Sequence, residues 1–274
     1  MSLRINTNVS AMNTHRNMMN VDLNLSKSLE KLSSGLRINR ASDDAAGLSI
    51  SETMRGQVRG LAQAEKNAQD GISLINTAEG ALNEVASILQ RMRELAVQSS
   101  NGTLTTSDHQ ATDTEFQSLK SEIDNITSYT TFNGYQMLNA TTSTFTFQIG
   151  ANNGQTLAVG ISGVSSLGLS LSNATVNTST QASSQTTLNS LDIAIGKIST
   201  IRSTLGAASN RLEHTINNVG VSRENIAAAE SRIRDVDMAD EMTTLTRNQI
   251  MMQSSTAMLA QANAQPQSIL SLFR

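Results

Sequence analysis

Apolar residues recur every seven positions in two long stretches of the chain. The stretch nearer the C-terminus contains Leu191, Ile198, Leu205, Leu212, Val219, Ile226 and Ile233. The earlier stretch contains Leu61, Ala68, Ile75, Leu82, Leu89 and Ala96, followed three residues on by Ala64, Gly71, Ala78, Val85, Met92 and Ser99. This spacing is typical of helices that pack lengthwise on partners. The pattern therefore predicts a mainly α fold, a long coiled-coil-like bundle of paired N- and C-terminal rods with a small β-hairpin region.

The first half predicts three helices. One covers residues 5–34, and Gly35 ends it. Its apolar residues form a stripe of Ile5, Val9, Met12, Met19 and Leu23 and then a second frame of Leu25, Leu29, Leu32 and Leu36. The next runs from about Ser42, where a hydroxyl and two carboxylates favour a start, to about residue 100. Its glycines make residues 56–60 a weak point. A third covers residues 107–129.

Between the rods the period changes to two. Residues 144–149 and 157–161 alternate, with Asn153-Gly154 between them, which predicts a β-hairpin over about 143–162. The following residues, 163–183, are mostly Ser, Thr, Gly and Asn, which predicts an exposed loop. We expect 165–180 to tolerate an inserted domain.

A second ladder near the C-terminus is out of frame with the first. It consists of Met238, Leu245, Met252 and Leu259. A two-residue displacement breaks a coiled-coil seam, so the long helix over 184–233 should end at a joint near 234–237. The last helix has mostly polar companion positions, and Pro266 should limit it. Like the first helix, it has too little apolar area to fold alone.

Composition and charge exclude several classes of protein. Aromatic residues make up 3% of the chain and Trp is absent, which suits narrow helix seams. The net charge of −3 gives no pull toward nucleic acid, and no segment is apolar enough to be inserted in a membrane. Cysteine is absent, which excludes disulfides and thiolate chemistry. The chain starts without the apolar segment of a signal peptide, which by itself favours the cytoplasm.

The residues indicate no catalytic, cofactor or metal site, and we expect no enzyme. The three histidines, His15, His109 and His214, share no metal-ligand spacing and are interpreted as solvent or helix-face residues. The pair Asp43-Asp44 could be catalytic carboxylates, but helix capping explains both.

Several motifs resemble one family, the bacterial flagellins. They are Leu3-Arg4-Ile5-Asn6-Thr7-Asn8, the stretch Leu32-Ser33-Ser34-Gly35-Leu36-Arg37-Ile38-Asn39 with Ala41-Ser42-Asp43-Asp44-Ala45-Ala46-Gly47, the run over 90–98, Phe132-Asn133-Gly134, the run over 231–239, and the ending over 259–274. They occur in order along both rods.

The resemblance implies a structural subunit that assembles into the flagellar filament for motility. It implies terminal helices (1–41 and 235–274) in an inner core and an outer bundle made of 42–183 and 184–234. It also implies unfolded export without a cleaved signal peptide, polymerisation at the filament tip and an extracellular location. The implied partners are further copies of the chain, the export apparatus, an export chaperone at the C-terminal helix, the filament cap, hook-associated proteins and a vertebrate innate flagellin receptor.

The resemblance also assigns candidate residues. Positions matching Arg91, Leu95 and Glu115, with Gln90 and Gln98 beside them, form a patch that serves both as a subunit contact and as the receptor surface. Apart from the resemblance, the joint near residues 234–237 is a candidate hinge where it faces the turn over 35–41, because a curved filament needs subunits with two packings of similar energy. Its candidate residues are Gly35, Arg40, Arg234 and Asp237.

Three rival interpretations stay open at this point. A hook–filament junction protein has similar termini, although the 90–98 motif and the Phe273-Arg274 ending favour flagellin. An enzyme with a metallopeptidase insert would need a zinc motif, which is absent. A soluble coiled-coil tethering protein would not form fibres.

Overall fold

The computed structural model describes residues 7–139, 142–171 and 176–272. The elements in chain order are α1 (Val9–Ser34), α2 (Ala45–Ser99), α3 (Thr106–Tyr129), β1 (Thr131–Phe132), β2 (Tyr135–Gln136), β3 (Thr142–Gln148), β4 (Thr156–Ser162), α4 (Gln181–Arg234) and α5 (Met238–Leu272). The prediction of a mainly α fold with long terminal helices and a small hairpin is confirmed.

The chain divides into two compact units. The terminal unit contains the described residues up to Gly56 and from Asn225 onward, and the central unit contains Gln57–Glu224. Both boundaries fall inside long helices, α2 and α4, whereas the sequence placed the divisions at the linkers 41/42 and 234/235.

The core of the central unit follows the two predicted ladders. On α2 the buried positions include Ala68, Ile75, Leu82, Leu89 and Ala96 together with Ala78, Val85 and Met92. On α4 they are Leu191, Ile198, Leu205, Leu212 and Val219. Apart from Val219, these side chains and those of α3, such as Phe116 and Ile123, belong to one continuous core. The last two members of the α4 ladder, Ile226 and Ile233, are only half-buried.

A capping box fixes the start of helix α3. The Thr105 side chain accepts from the Asp108 backbone N–H, and the Asp108 carboxylate accepts from the Thr105 backbone N–H at 2.9 Å. This reciprocal capping box satisfies two backbone donors that the helix cannot pair itself. After α3 a two-residue turn, Asn133-Gly134, has positive φ angles of 49° and 80° and joins β1 to β2. The sequence analysis missed this hairpin, although Asn-Gly is a strong hairpin signal.

The larger hairpin lies where the alternation placed one. β3 and β4 are antiparallel and pair from Thr142 with Ser162 to Gln148 with Thr156. On β4 alternate residues are buried: Leu157, Val159 and Ile161. The hairpin lies close to α2, since a Cβ on Gly71 would be 3.3 Å from the Phe147 ring, and one on Gly60 would be 2.9 Å from the Ala151 Cβ. These glycines make room for the hairpin, and α2 runs without a break through the predicted weak point at 56–60.

The predicted exposed loop over 163–183 is wrong in its described part. Val164, Leu169, Leu171 and Val176 are 0–3% exposed and belong to the central core. The segment is held at both sides, because the Asp124 carboxylate accepts from the Ser166 N–H and hydroxyl at 2.8 Å, and Lys197 Nζ donates to the Gly168 carbonyl at 3.0 Å. Its apolar residues have no period because the chain does not form a regular element here. Insertion tolerance is therefore not expected over 165–171, while residues 172–175 of the predicted stretch lie outside the described residues.

The terminal unit pairs α1 with α5 through a stripe that differs from the first predicted stripe and includes Leu25 and Leu32 of the second. The half-buried or buried positions of α1 that recur every three or four residues are Ala11, Thr14, Met18, Val21, Leu25, Ser28 and Leu32, and Glu30 and Lys31 beside them are also half-buried. The predicted stripe faces outward: Val9, Met12, Met19 and Leu23 are 56–65% exposed, and Ile5 lies outside the described residues. The prediction failed because both stripes have the same spacing, and only the partner helix decides which is covered.

Helix α5 contributes a matching row. Its covered positions include Glu241, Leu245, Asn248, Met252, Ser255, Leu259 and Ala262. Three of the four residues of the predicted ladder, Leu245, Met252 and Leu259, are thus covered, whereas Met238 is 50% exposed. The helix continues past Pro266 to Leu272, so the predicted limit is wrong. A proline removes one backbone donor and need not end a helix.

Candidate functional surfaces

Two linkers of the terminal unit form one compact structure, which we call the junction (residues 35–44 and 233–237). Gly35 ends α1 in the left-handed conformation, with φ 72°, and donates to the Lys31 carbonyl at 2.8 Å. The Val236 N–H donates to the Gly35 carbonyl at 3.1 Å, and the Arg37 N–H donates to the Arg234 carbonyl at 2.6 Å. The turn after α1 therefore pairs as an isolated antiparallel bridge with the joint before α5.

Arginine side chains reinforce the junction. The Arg37 guanidinium donates to the Ile233 carbonyl, the last turn of α4. The Arg234 guanidinium forms an ion pair with Glu52, and its Nε is buried with no hydrogen-bond partner among the described residues. The Arg40 Nε lies 2.9 Å from Glu30 Oε1. Such contacts to charged groups hold a turn more firmly than neutral hydrogen bonds.

Acidic residues cap the helices that leave the junction. The Asp44 carboxylate accepts from the Gly47 N–H at 2.8 Å and is the N-cap of α2, a role predicted for Ser42. Asp43 instead closes the turn, accepting from the Arg40 and Asn39 N–H groups. The hydrogen bond from the Arg40 backbone holds the pKa of Asp43 below its usual value. Asp237 caps α5 by accepting from the Ala239 N–H at 2.9 Å.

The four residues proposed for a hinge thus all lie in the junction. Gly35 supplies the left-handed turn, and Asp237 caps α5. Arg234 supplies the carbonyl that accepts from the Arg37 N–H and forms the ion pair with Glu52. Arg40 forms an ion pair at the edge of the junction. Sequence reasoning missed the acidic partners Glu30 and Glu52, because their positions relative to the arginines depend on how the linkers meet.

The second candidate surface lies on α2 in the central unit. We call it the α2 face and define it by Gln90, Arg91, Glu94, Val97 and Gln98, all exposed. The Arg91 guanidinium is 2.9 Å from Glu115 Oε1 of α3 and 3.1 Å from Glu94 Oε2. These carboxylates, Glu115 first, raise the pKa of Arg91 above its ordinary value.

Leu95 does not belong to the exposed part of this surface. Its side chain is 1% exposed and lies in the central core, so the prediction of an exposed Leu95 anchor is wrong. Its row, with Leu74, Ala81 and Ile88, is buried or half-buried because the core extends beyond the two-helix seam. The apolar residue that is exposed here is Val97, at 53%. Val97 helps to line a shallow depression of about 530 Å³ with Gln90, Arg93, Glu94 and Gln98.

One polar cluster of the central unit was not anticipated. His109, predicted to face solvent or a helix surface, is 9% exposed, and its Nδ1 lies 2.7 Å from the Ser99 hydroxyl. That hydroxyl also bonds the Thr178 carbonyl, while the Thr178 N–H donates to Asp113 at 2.9 Å. The cluster ties α2, α3 and the segment before α4 together. Its hydrogen bonds satisfy the buried groups, so it is a structural feature.

Two other kinds of site are missing from the part of the chain that the structure describes. In the described ranges, His, Asp and Glu side chains nowhere gather in a group of three that could hold a metal ion. Over the same residues, every helix is too short or too polar in its composition to cross a membrane.

Comparison with known proteins decides the family. The model of the bacterial flagellin N-terminal helical region matches residues 5–143, and that of the C-terminal helical region matches residues 188–273. A flagellin of Halalkalibacterium halodurans is 54% identical over 271 residues, covering 98% of this chain and 99% of that protein. The chain belongs to the bacterial flagellin family. A flagellin of Bacillus subtilis is 49% identical, with 99% of this chain and all of that protein covered.

Solved structures agree with the family. The crystal structure of Bacillus cereus flagellin has a TM-score of 0.51 and 37% identity, over 60% of this chain and 94% of that chain. A flagellar hook-associated protein of Vibrio parahaemolyticus has a TM-score of 0.58 over 70% of this chain, and at 15% identity it shows the fold alone. As a flagellin, the chain is a structural protein and not an enzyme, and it is a subunit of the homopolymeric flagellar filament.

Proposed function

We propose that the terminal unit is the polymerising part of this flagellin. One observation carries the proposal: α1 and α5 pair through one stripe and leave large apolar side chains exposed on the others. These are Val9, Met12, Met19, Leu23 and Leu29 of α1 and Met238, Met242, Ile250, Met251 and Met258 of α5, each 39–65% exposed. An exposed set of this kind marks an interaction surface. Head-to-tail contacts that do not close into a ring produce an open helical polymer.

The proposed positions of the two units in the filament follow from the difference between their exposed apolar surfaces. The terminal helices form the inner core of the filament, where neighbours cover their apolar sides, and the central bundle with its hairpin forms the outer core. The central unit supports this role because its own core is complete and does not need a neighbour to bury its main ladders.

The route to the filament belongs to the same proposal. The chain is exported unfolded, without a cleaved signal peptide, and polymerises outside the cell at the filament tip under the cap. The α1–α5 seam includes Thr14, Ser28, Asn248 and Ser255 among its covered residues, so it separates easily. The export apparatus, an export chaperone bound to α5 and the hook-associated proteins are the partners on this route.

The junction is the proposed hinge. Two backbone hydrogen bonds and the Arg234–Glu52 ion pair hold its present arrangement, and a second arrangement of similar energy would let subunits differ along a curved filament. Replacing Arg234 by Ala should change filament shape or handedness while the central unit melts unchanged. Filaments of unaltered shape would contradict the role.

The α2 face is the proposed subunit contact and receptor surface. Arg91, Glu115, Gln90 and Gln98 are exposed in the single chain, and Leu95 supports them from the core. Replacing Arg91 by Asp breaks both ion pairs and should weaken receptor signalling and filament assembly together. Normal assembly with lost signalling would show that the two surfaces differ.

A charge placed on the outward stripe tests the main proposal. Leu23 is 60% exposed, and replacing it by Asp should abolish polymerisation with helix content unchanged, because a buried unpaired carboxylate is costly. The neighbouring Asn24 is exposed and polar, so Asn24→Asp is a matched control. Sedimentation and electron microscopy measure assembly, and circular dichroism measures helix content. Polymerisation of the Leu23 variant at the normal critical concentration would refute the proposal.

A further inference from the structure

The methionines of this chain are unevenly distributed between the two units. Six of them on α1 and α5 are strongly exposed: Met12 at 65%, Met19 at 56%, Met238 at 50%, Met242 at 48%, Met251 at 39% and Met258 at 60%. In the central unit Met92 and Met137 are 0% exposed. The apolar surface proposed to drive polymerisation is therefore built largely from thioethers, while the stable core shields its own.

We propose that these six exposed methionines are an oxidation site through which peroxide controls assembly. Hydrogen peroxide is the oxidant. The thioether sulfur attacks one peroxide oxygen, the O–O bond breaks, and the products are a sulfoxide and water. Sulfur is oxidised by two electrons and peroxide oxygen is reduced. The effect on assembly rests on the proposed function, whereas the chemical selectivity rests on exposure alone.

Exposure makes the reaction selective within the chain. Oxidation of methionine requires access of the oxidant to sulfur, so the six exposed residues should react first. Met18 and Met252 lie in the half-buried α1–α5 seam and should react more slowly. Met92 and Met137 should be unmodified while the central unit stays folded.

The position of the thioethers explains the effect on assembly. Met12 and Met19 are seven residues apart, as are Met251 and Met258, so each pair lies on one stripe of its helix. Sulfoxide formation converts a flexible apolar side chain into a polar one. Burying that group against an apolar neighbour without a hydrogen bond is unfavourable. A filament already formed should resist, since its neighbours cover these stripes.

The experiment uses the full chain, treated with hydrogen peroxide as monomer and as filament. Peptide mass spectrometry should find sulfoxide at the six residues in the monomer and much less in the filament. The treated monomer should show a critical concentration raised by about tenfold or more. Methionine sulfoxide reductases should restore assembly, because the modification is reversible. Oxidation spread evenly over Met92, Met137 and the six would overturn the proposal.

Matched variants separate this inference from the proposed function. A variant with the six residues replaced by Leu keeps their volume and apolar character but cannot be oxidised, so it should polymerise after peroxide treatment. A variant with Met92 and Met137 replaced by Leu should stay sensitive. If the six-residue variant does not assemble even untreated, variants confined to α1 or to α5 take its place, each expected to recover part of the resistance. Unchanged sensitivity in all of them overturns the proposal.

Assembly of the untreated chain distinguishes a failure of the proposed function from a failure of the present inference. If it forms no filaments, the proposed function fails, and the sulfoxide map still shows whether the six residues are the reactive ones. If it forms filaments and the fully oxidised monomer forms them equally well, only the present inference fails.

Discussion

The central and terminal units use the same spacing of covered residues and differ in what fills it. In the central unit, the covered positions are mainly Leu, Ile, Val, Met and Ala, and most of those on α2 and α4 are 0–2% exposed. In the terminal unit, the row on α1 includes Thr14 and Ser28, and the row on α5 includes Asn248 and Ser255. A seven-residue period therefore predicts which helices pair, while the side chains at the covered positions decide how strongly they pair.

This difference also separates what each unit can do. Most helical stability in proteins comes from burying an apolar face, not from the helix itself. The central unit buries its apolar faces within one chain. The terminal unit leaves many of its large apolar side chains outward, so under the proposed function it gains further stability when another subunit covers them. Assembly and folding of the terminal helices are then one process.

Removing both terminal helices should have the largest effect. A chain lacking residues 1–34 and 238–274 should keep a cooperative thermal transition and high helix content, because the described core residues of the central unit all lie between Ala68 and Leu212. It should form no filaments at any practical concentration. Circular dichroism and sedimentation measure the two properties. Filaments from the shortened chain, or a loss of its cooperative melt, would each contradict the assignment of stability and assembly to different units.

A pair of leucine truncations compares the two seams directly. Leu82 of α2 is 0% exposed in the central core, and its replacement by Ala should destabilise the central unit by about 2–5 kcal/mol. Leu245 of α5 is 8% exposed in the terminal seam, surrounded by partly exposed positions. Its replacement should leave the main thermal transition almost unchanged and impair assembly instead. Chemical denaturation of the monomer measures the first effect, and the critical concentration measures the second. Equal losses of monomer stability would contradict the contrast.

Two glycines of α2 should respond to the same substitution with opposite signs. A Cβ on Gly71 would lie 3.2 Å from Leu212 Cδ1 and 3.3 Å from the Phe147 ring, so Gly71→Ala should destabilise the central unit by about 1 kcal/mol or more. Gly80 has open space around it, so Gly80→Ala should stabilise α2 by up to about 1 kcal/mol through helix propensity. Thermal melts of both variants measure the difference. Stabilisation by both would show that the hairpin does not press on α2 at Gly71.

Much of this fold could be predicted, because regular elements leave regular signals. Heptads located α2 and α4, alternation located β3 and β4, and the out-of-frame ladder located the joint before α5. The segment after β4 has no regular signal in the sequence, because Val164, Leu169 and Leu171 lie in an irregular stretch of chain. Their side chains are buried, and Asp124 and Lys197 hold the stretch in place. The stripe of α1 was misassigned for a different reason. The helix has two apolar stripes. The sequence does not show which stripe is covered by the partner helix of the same chain and which is left outward.

Some residues of the candidate surfaces could also be predicted from the sequence, and others could not. The proposed hinge residues Gly35 and Asp237 could be found from turn and cap chemistry, which acts over a few residues. The acidic partners Glu52 and Glu30 could not, because they meet the arginines only in the folded unit. Leu95 was assigned to the patch from the family resemblance, although its spacing alone favoured packing within the chain. The third helix, α3, widens the core and covers the row to which Leu95 belongs.

The smallest expected effects concern one carboxylate in each unit. Backbone N–H donors lower the pKa of Asp108 at the start of α3 and of Asp43 in the junction. A lowered pKa means that the folded chain binds the proton less tightly than the unfolded chain. The resulting stabilisation is complete above the ordinary carboxyl pKa and is lost as the pH falls through the lowered value. Both contributions should therefore be present at neutral pH and fade only in acid.

Replacing each aspartate by asparagine should locate these contributions. Asp108→Asn should slightly lower the melting temperature of the central unit at pH 7. The gap from the parent chain should begin to narrow as the pH falls below about 4, the ordinary carboxyl pKa, and should close as the pH falls through the lowered pKa of the folded chain. Asp43→Asn should leave that melt unchanged and make filaments less stable, with the same closing of the gap in acid. Melting curves and filament depolymerisation over a pH series measure the two effects. Because each carboxylate acts through its own unit, a shift of the central melt by Asp43→Asn would show that the junction contributes to the stability of the central bundle, and the separation of the two units would have to be abandoned.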